Sequence, residues 1–158
     1  MNYPLIGFLV CFIVFGAGCA DTQNTPRTEP AQVDSSTTLD LKNQGLAQFP
    51  MYVVAQTNLV TLNLAQNQLT GAPPSQIGQL RQLVHLDLSN NRLTGLPAEL
   101  GQLKKLETLN VANNRLTGLP LELGNLTQLR VLDVSGNPYA EQDLATIAER
   151  LPNTTIKR

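Results

Sequence analysis

Few residues of this chain carry the chemistry of a catalyst. His85 is its single histidine, and Asp87 lies two residues further on. In an extended strand residues two apart point to the same face, so the pair could share a proton. General-base chemistry also needs a nucleophile or acid in reach and a pocket that excludes water, and no serine stands in position to serve. A lone histidine with no cysteine or second histidine nearby makes a poor metal site, because zinc takes several such ligands. The two cysteines, Cys11 and Cys19, both fall in the first apolar stretch, so the main body has neither a disulfide framework nor a cysteine metal site. The expectation is a chain with no enzymatic activity, no metal and no cofactor.

The surroundings of His85 recur along the chain. The segment Leu83-Val-His-Leu86-Asp-Leu88-Ser-Asn-Asn91-Arg-Leu93 has counterparts running from Leu59 to Leu69, from Leu106 to Leu116 and from Leu129 to Asn137, all of the form LxxLxLxxNxL. Successive copies start at Leu59, Leu83, Leu106 and Leu129, a spacing of 24, 23 and 23 residues. Periods of this length mark stacked-repeat architectures. A degenerate copy begins near Ser36, with Leu39, Leu41, Gln44 and Leu46 at the equivalent places. It lacks the first leucine and has Gln where the others have Asn, as befits an edge repeat with one side toward solvent.

The alternation in Leu62-Asn63-Leu64 suits a half-buried strand. Stacking the copies gives three buried columns: Leu62, Leu86, Leu109 and Leu132; Leu64, Leu88, Val111 and Val134; and Leu59, Leu83, Leu106 and Leu129. Asn67, Asn91, Asn114 and Asn137 form a fourth. A chain turning away from a strand leaves backbone donors and acceptors unpaired, and a carboxamide can satisfy both kinds, so this column reads as structural.

These residues resemble the leucine-rich-repeat family over about residues 36–158. The resemblance implies an α/β fold: a right-handed solenoid with a parallel sheet on its concave face and short 3-10 or helical turns on the convex side. In that family the Asn column is known as the asparagine ladder. The return half of each unit, LTGLPAELGQL from Leu93 and LTGLPLELGNL from Leu116, fits the same picture. Leu100 with Leu103, and Leu123 with Leu126, suit a single short helical turn against the core. Proline ends any strand there, and Gly71, Gly95 and Gly118 are expected to permit the turns. After Asn137-Pro138 the spacing of Leu144, Ile147, Ala148 and Leu151 predicts a helix. Pro152-Asn153 ends it and Thr154-Thr155-Ile156 can add a last strand, so residues 138–158 read as a cap.

The outward strand positions define the candidate binding face: Asn63, His85, Asp87, Thr108, Asn110 and Asp133. Their amides, carboxylates and hydroxyls can hydrogen-bond a peptide or a glycan, or simply solvate the sheet. Aromatics make up 4% of the chain and Trp is absent, so the face lacks the large anchors that usually dominate binding energy. A formal net charge of −1 gives no basic field for nucleic acid. Arg92 and Arg115 hold equivalent positions on one edge. Arg81, Lys104, Lys105 and Arg130 gather on the other, with Glu99, Glu107 and Glu122 to balance them. Either edge could meet an anionic group or be a solvated rim. The family resemblance implies a protein or peptide partner.

Residues Leu5 to Ala20, LIGFLVCFIVFGAGCA, form an apolar run followed at once by Asp21-Thr22-Gln23-Asn24. The run falls short of the ~20 residues a membrane-spanning helix needs and ends in small residues, as export signals do. Gly16-Ala17-Gly18-Cys19 resembles the lipobox of bacterial lipoproteins. The resemblance implies cleavage before Cys19 and acylation of Cys19, and Ala20 after it points toward the outer membrane. The expected organisation is therefore a signal peptide over 1–18, a flexible polar tether over 19–35 and the repeat domain over 36–158, with membrane contact through the lipid only. The alternatives are an uncleaved anchor and a secreted recognition or inhibitor protein without a lipid. Glycans at the sequons of Asn125 and Asn153 would favour the secreted form.

Overall fold

A computed structural model of the protein describes residues 37–158. The apolar leader, Cys19, the polar tether and Ser36 lie outside the described residues.

The elements follow the repeat. Strands β1 (Thr38–Asp40), β2 (Thr61–Asn63), β3 (Thr70–Gly71), β4 (His85–Asp87), β5 (Arg92–Leu93), β6 (Thr108–Asn110) and β7 (Val131–Asp133) are followed by helix α1 (Glu141–Arg150) and strand β8 (Thr155–Lys157). Four 3-10 turns, Met51–Ala55, Ser75–Gln79, Ala98–Gln102 and Leu121–Asn125, lie on the opposite side of the coils. Each begins directly after a proline, Pro50, Pro74, Pro97 or Pro120, held in extended backbone.

Six strands form one parallel sheet in the order β1-β2-β4-β6-β7-β8. The register aligns Leu39, Leu62, Leu86, Leu109, Leu132 and Ile156 as one row. Leu62, Leu109 and Leu132 are fully buried between half-buried neighbours, which is the alternation of a sheet with one wet face. The leucines and valines behind this row and those of the 3-10 turns complete a continuous core along the solenoid. Fully burying one such side chain is worth about 2 kcal/mol. A single coil cannot bury its own leucines, so the stack forms as a unit.

Three details differ from the sequence expectation. Gly71 has a left-handed φ of +72°, but Gly95 and Gly118 have ordinary backbone. The glycine requirement falls instead on Gly101, in the buried middle of a 3-10 turn, where a Cβ would strike the carbonyl of Glu122 in the next coil. The last strand starts at Thr155, not Thr154. Thr154 is a turn residue: its N–H donates to Leu151 O at 3.1 Å and its hydroxyl to Leu129 O at 2.6 Å. The third is a second, two-stranded sheet, β3 with β5, on the flank beside the main one.

Helix α1 replaces the 3-10 turn of the last coil. It packs Leu144 and Ile147, both fully buried, with Leu151 just past its end, over the end of the core. The carboxylate of Asp143 accepts the N–H of Leu119 at 3.0 Å and fastens the helix to the preceding coil.

Candidate functional site: the open face of the sheet

On the wet face the column Asp40, Asn63, Asp87, Asn110 and Asp133 has a double role. One oxygen of each side chain accepts the backbone N–H two residues on: Lys42 at 3.0 Å, Ala65 at 3.0 Å, Ser89 at 2.9 Å, Ala112 at 3.1 Å and Ser135 at 3.2 Å. This closes the ends of these five strands and explains why Asp or Asn stands in each of them. The remaining polar atom of each side chain is left for other partners. Asn110 Nδ2 donates to Asp87 Oδ2 at 3.2 Å, across one interstrand gap. Asp133 Oδ2 faces Lys157 Nζ at 3.6 Å.

The other column, Thr61, His85 and Thr108, runs beside it in register. Together they bound a depression of about 280 Å3, with Thr61, Asn63, His85, Asp87, Thr108 and Asn110 around it and Leu62 and Leu86 at its base. Five of the six candidate face residues line this hollow. Asp133 does not, and is tied to Lys157 at the cap. Lys157 had no repeat equivalent in the sequence that would have marked it, because the strand carrying it lies beyond the last repeat.

His85 and Asp87 share the face without touching. His85 is exposed, and both carboxylate oxygens of Asp87 are already accepting, from Ser89 N–H and Asn110 Nδ2. The pair is therefore not arranged as a dyad. Among the described residues no group of three or more His, Cys, Asp and Glu side chains is placed to hold a metal ion.

Behind the face the interior amides make long-range bonds. Asn91 Nδ2 donates to Leu64 O and Leu88 O, both at 3.0 Å, and its Oδ1 accepts Leu69 N–H at 3.0 Å. Asn67, Asn114 and Asn137 repeat the pattern in their own coils. The residue before each of them, Gln66, Asn90, Asn113 or Gly136, has a left-handed φ between +54° and +68°, and Asn43 before Gln44 shares it. The sequence signal is the Asn or Gly at this place in every coil but that of Gln66, residue types that tolerate that region.

The basic groups at the strand entries are largely occupied. Arg130 faces Glu107 at 3.4 Å, Lys105 donates to Gln82 Oε1, and Lys104 Nζ donates to Gly101 O at 2.8 Å and Asn125 O at 3.0 Å. A hollow of about 390 Å3 beside Lys104 and Arg81 is a groove between successive 3-10 turns. Among the described residues no helix is long and apolar enough to cross a membrane.

The family model described as a leucine-rich repeat region matches residues 37–154. Mouse Tsukushi is 42% identical over 66 residues, covering 42% of this chain and 18% of that protein. A Leptospira interrogans leucine-rich-repeat protein superposes with a TM-score of 0.59 at 35% identity, over 72% of this chain and 34% of its own. The Arabidopsis thaliana receptor kinase ectodomain GASSHO1/SCHENGEN3, solved in complex with Casparian strip integrity factor 2, gives a TM-score of 0.65 at 32% identity, over 76% of this chain and 15% of its own. The chain thus spans between 15% and 34% of the length of each of these relatives. With the model match, the registered leucine columns and the interior amides in agreement, the chain belongs to the leucine-rich-repeat family.

Proposed function

We propose that this protein is a non-catalytic interaction module that holds a protein or peptide segment against the open sheet face. The observation that carries the reading is the registered row of side chains from Asn63 to Asn110. Each spends one atom on its own strand end; the second atoms of Asp87 and Asn110 meet each other, and that of Asn63 is open to a partner, above a shallow hollow with leucines at its base. Rigid strands fix these atoms before binding, which lowers the ordering cost of association. The complex of the Arabidopsis ectodomain with its factor lends the reading support by likeness. The residues Gly16-Ala17-Gly18-Cys19 support presentation as a lipoprotein at a bacterial outer membrane, with the lipid on Cys19.

The test is crosslinked capture from envelope fractions with the intact protein. Replacing His85 and Thr108, which line the hollow, together by Ala should abolish the captured band while the unfolding midpoint stays put. Equal capture by the double variant would remove the sheet face from consideration. Loss of radiolabelled palmitate in Cys19→Ser would support the anchor, and absence of label in the parent protein would refute it.

A further inference from the structure

The hollow on the open sheet face has a definite charge. Its lining holds one carboxylate, Asp87, and neither lysine nor arginine. Asp87 Oδ1 accepts Ser89 N–H at 2.9 Å and Oδ2 accepts Asn110 Nδ2 at 3.2 Å, so both of its partners are neutral. Among the described residues no cation pairs with it. Each carboxylate oxygen offers two acceptor sites, so Oδ2 can take a further donor from above the sheet. Around it the hydroxyls of Thr61 and Thr108 and the amide nitrogen of Asn63 have no hydrogen bond among the described residues.

The molecule carries its own example of what such an oxygen takes. Asp133 stands in the same column, two strands further along the sheet. Its Oδ1 also accepts the N–H two residues on, from Ser135 at 3.2 Å, and its Oδ2 is likewise met by the in-register residue of the next strand. That residue is Lys157, whose Nζ lies 3.6 Å away. At Asp87 the in-register residue of the next strand is Asn110. An amide can fill the hydrogen bond but cannot balance the charge. At the cap the fold itself supplies the ammonium, and in the hollow that place is left to a ligand.

We propose that the hollow is a subsite for one lysine side chain of the bound segment. This rests on the reading that the sheet face holds a protein or peptide, and it names the group that the face grips. A volume of about 280 Å3 stands at the lower limit for a ligand pocket and suits a single side chain. A lysine joins an alkyl stem to a charged head. The stem can lie among the carbons of Thr61, His85 and Thr108, and the head then reaches Asp87 Oδ2, with the threonine hydroxyls as further acceptors. An arginine suits the place less well. Its fork engages both oxygens of a carboxylate at once, and both oxygens of Asp87 are already held by fixed donors. An ammonium needs only one oxygen, as Lys157 does at Asp133.

The probes are pentapeptides, blocked at both ends, that are glycine except for a central lysine, arginine, Nε-acetyllysine or norleucine. Each is titrated into the isotope-labelled full chain and followed by amide chemical shifts. The lysine peptide is expected to bind with a Kd of roughly millimolar order and to move the signals of Ser89, Thr108 and Asn110. The arginine peptide should bind more weakly, and the acetyllysine and norleucine peptides should not saturate. Asp87→Asn should weaken the lysine peptide roughly tenfold. Glu122→Gln, which removes the same charge from the far side of the coils, should leave it unchanged. A variant spectrum that matches the parent away from the hollow keeps a folding defect from imitating the result. The lysine subsite is overturned if the lysine peptide moves no signal of the hollow, or if any of the other three peptides binds as well. It is also overturned if Glu122→Gln costs as much as Asp87→Asn. Partner capture that survives Asp87→Asn but not the His85 and Thr108 replacement would remove the lysine and leave the face reading in place, whereas capture that survives both would remove the face itself.

Discussion

Asn114 Nδ2 donates to the carbonyl oxygen of Leu88, 26 residues earlier in the chain, at 3.0 Å. The same nitrogen serves Val111 O at 3.0 Å, and the oxygen of the amide accepts Leu93 N–H at 3.0 Å. One buried side chain therefore satisfies backbone groups of two coils. Asn114→Ala leaves those groups dry and unpaired, at about 1–3 kcal/mol each. The expected loss is roughly 3 kcal/mol or more, read as a lowered urea midpoint with unchanged slope. Asn137→Ala, at the part-buried last coil, should lose less. Equal losses at the two positions would show that burial does not set the cost.

Gly101 and Gly95 make a contrasting pair. A Cβ at Gly101 runs into the Glu122 carbonyl, whereas one at Gly95 meets only the Ala72 Cβ at 3.9 Å. Gly101→Ala must push two stacked turns apart and should cost about 1–3 kcal/mol. Gly95→Ala keeps ordinary backbone and reduces the freedom of the unfolded chain, so it should be neutral or stabilising by up to about 1 kcal/mol. Urea unfolding of both variants decides this, and a destabilised Gly95→Ala would contradict the assigned geometry.

These two cases show where the sequence was legible and where it was not. The columns through Leu62 and Leu86 declare themselves because a buried strand position must be apolar in every copy, and a fixed period then aligns the copies. Gly101 did not declare its role: LTGLPAELGQL contains two glycines, and only the distance between stacked 3-10 turns tells which of them excludes a side chain. The candidate face was legible as a row of Asp and Asn. That one oxygen of each is spent on the N–H two residues on depends on the backbone bend after a three-residue strand, which spacing alone does not specify. Lys157 stayed invisible because its strand joins the sheet through the cap and not through the repeat.

Tyr139 gives the fold a dependence on alkaline pH. Burial raises its phenol above the ordinary value of 10.0, the Glu141 carboxylate adds to this, and Arg158 partly opposes it. The folded state thus holds the phenolic proton more tightly than the unfolded chain. That contribution is fully present below the ordinary value and is lost as pH rises through the raised folded-state value. Urea midpoints at roughly pH 8.5 and pH 11 should fall further for the parent than for Tyr139→Phe, which has no proton to lose. A parallel decline in both would assign the alkaline loss to other groups.

Asp87 and Asp133 occupy the same column but differ in their second oxygen. That of Asp87 meets a neutral amide, Asn110, whereas that of Asp133 faces the Lys157 ammonium. Asp87 therefore presents uncompensated negative charge at the hollow. Asp87→Asn retains an oxygen for Ser89 N–H but loses the bond from Asn110 Nδ2, so its stability should fall by about 0.5–1.5 kcal/mol. Capture of a basic peptide segment should weaken roughly tenfold, as expected for loss of one charge-assisted bond. Asp133→Asn acts in the same direction on the charge of the face but also frees Lys157, so its effect on a basic partner should be at least as large. If the partner is acidic the sign reverses: Asp133→Asn then strengthens binding by releasing the lysine, and Asp87→Asn strengthens it less. Affinities of the two variants for the captured partner, measured side by side at two salt concentrations, distinguish these outcomes. Unchanged affinity in both would mean that the face binds without using its charge.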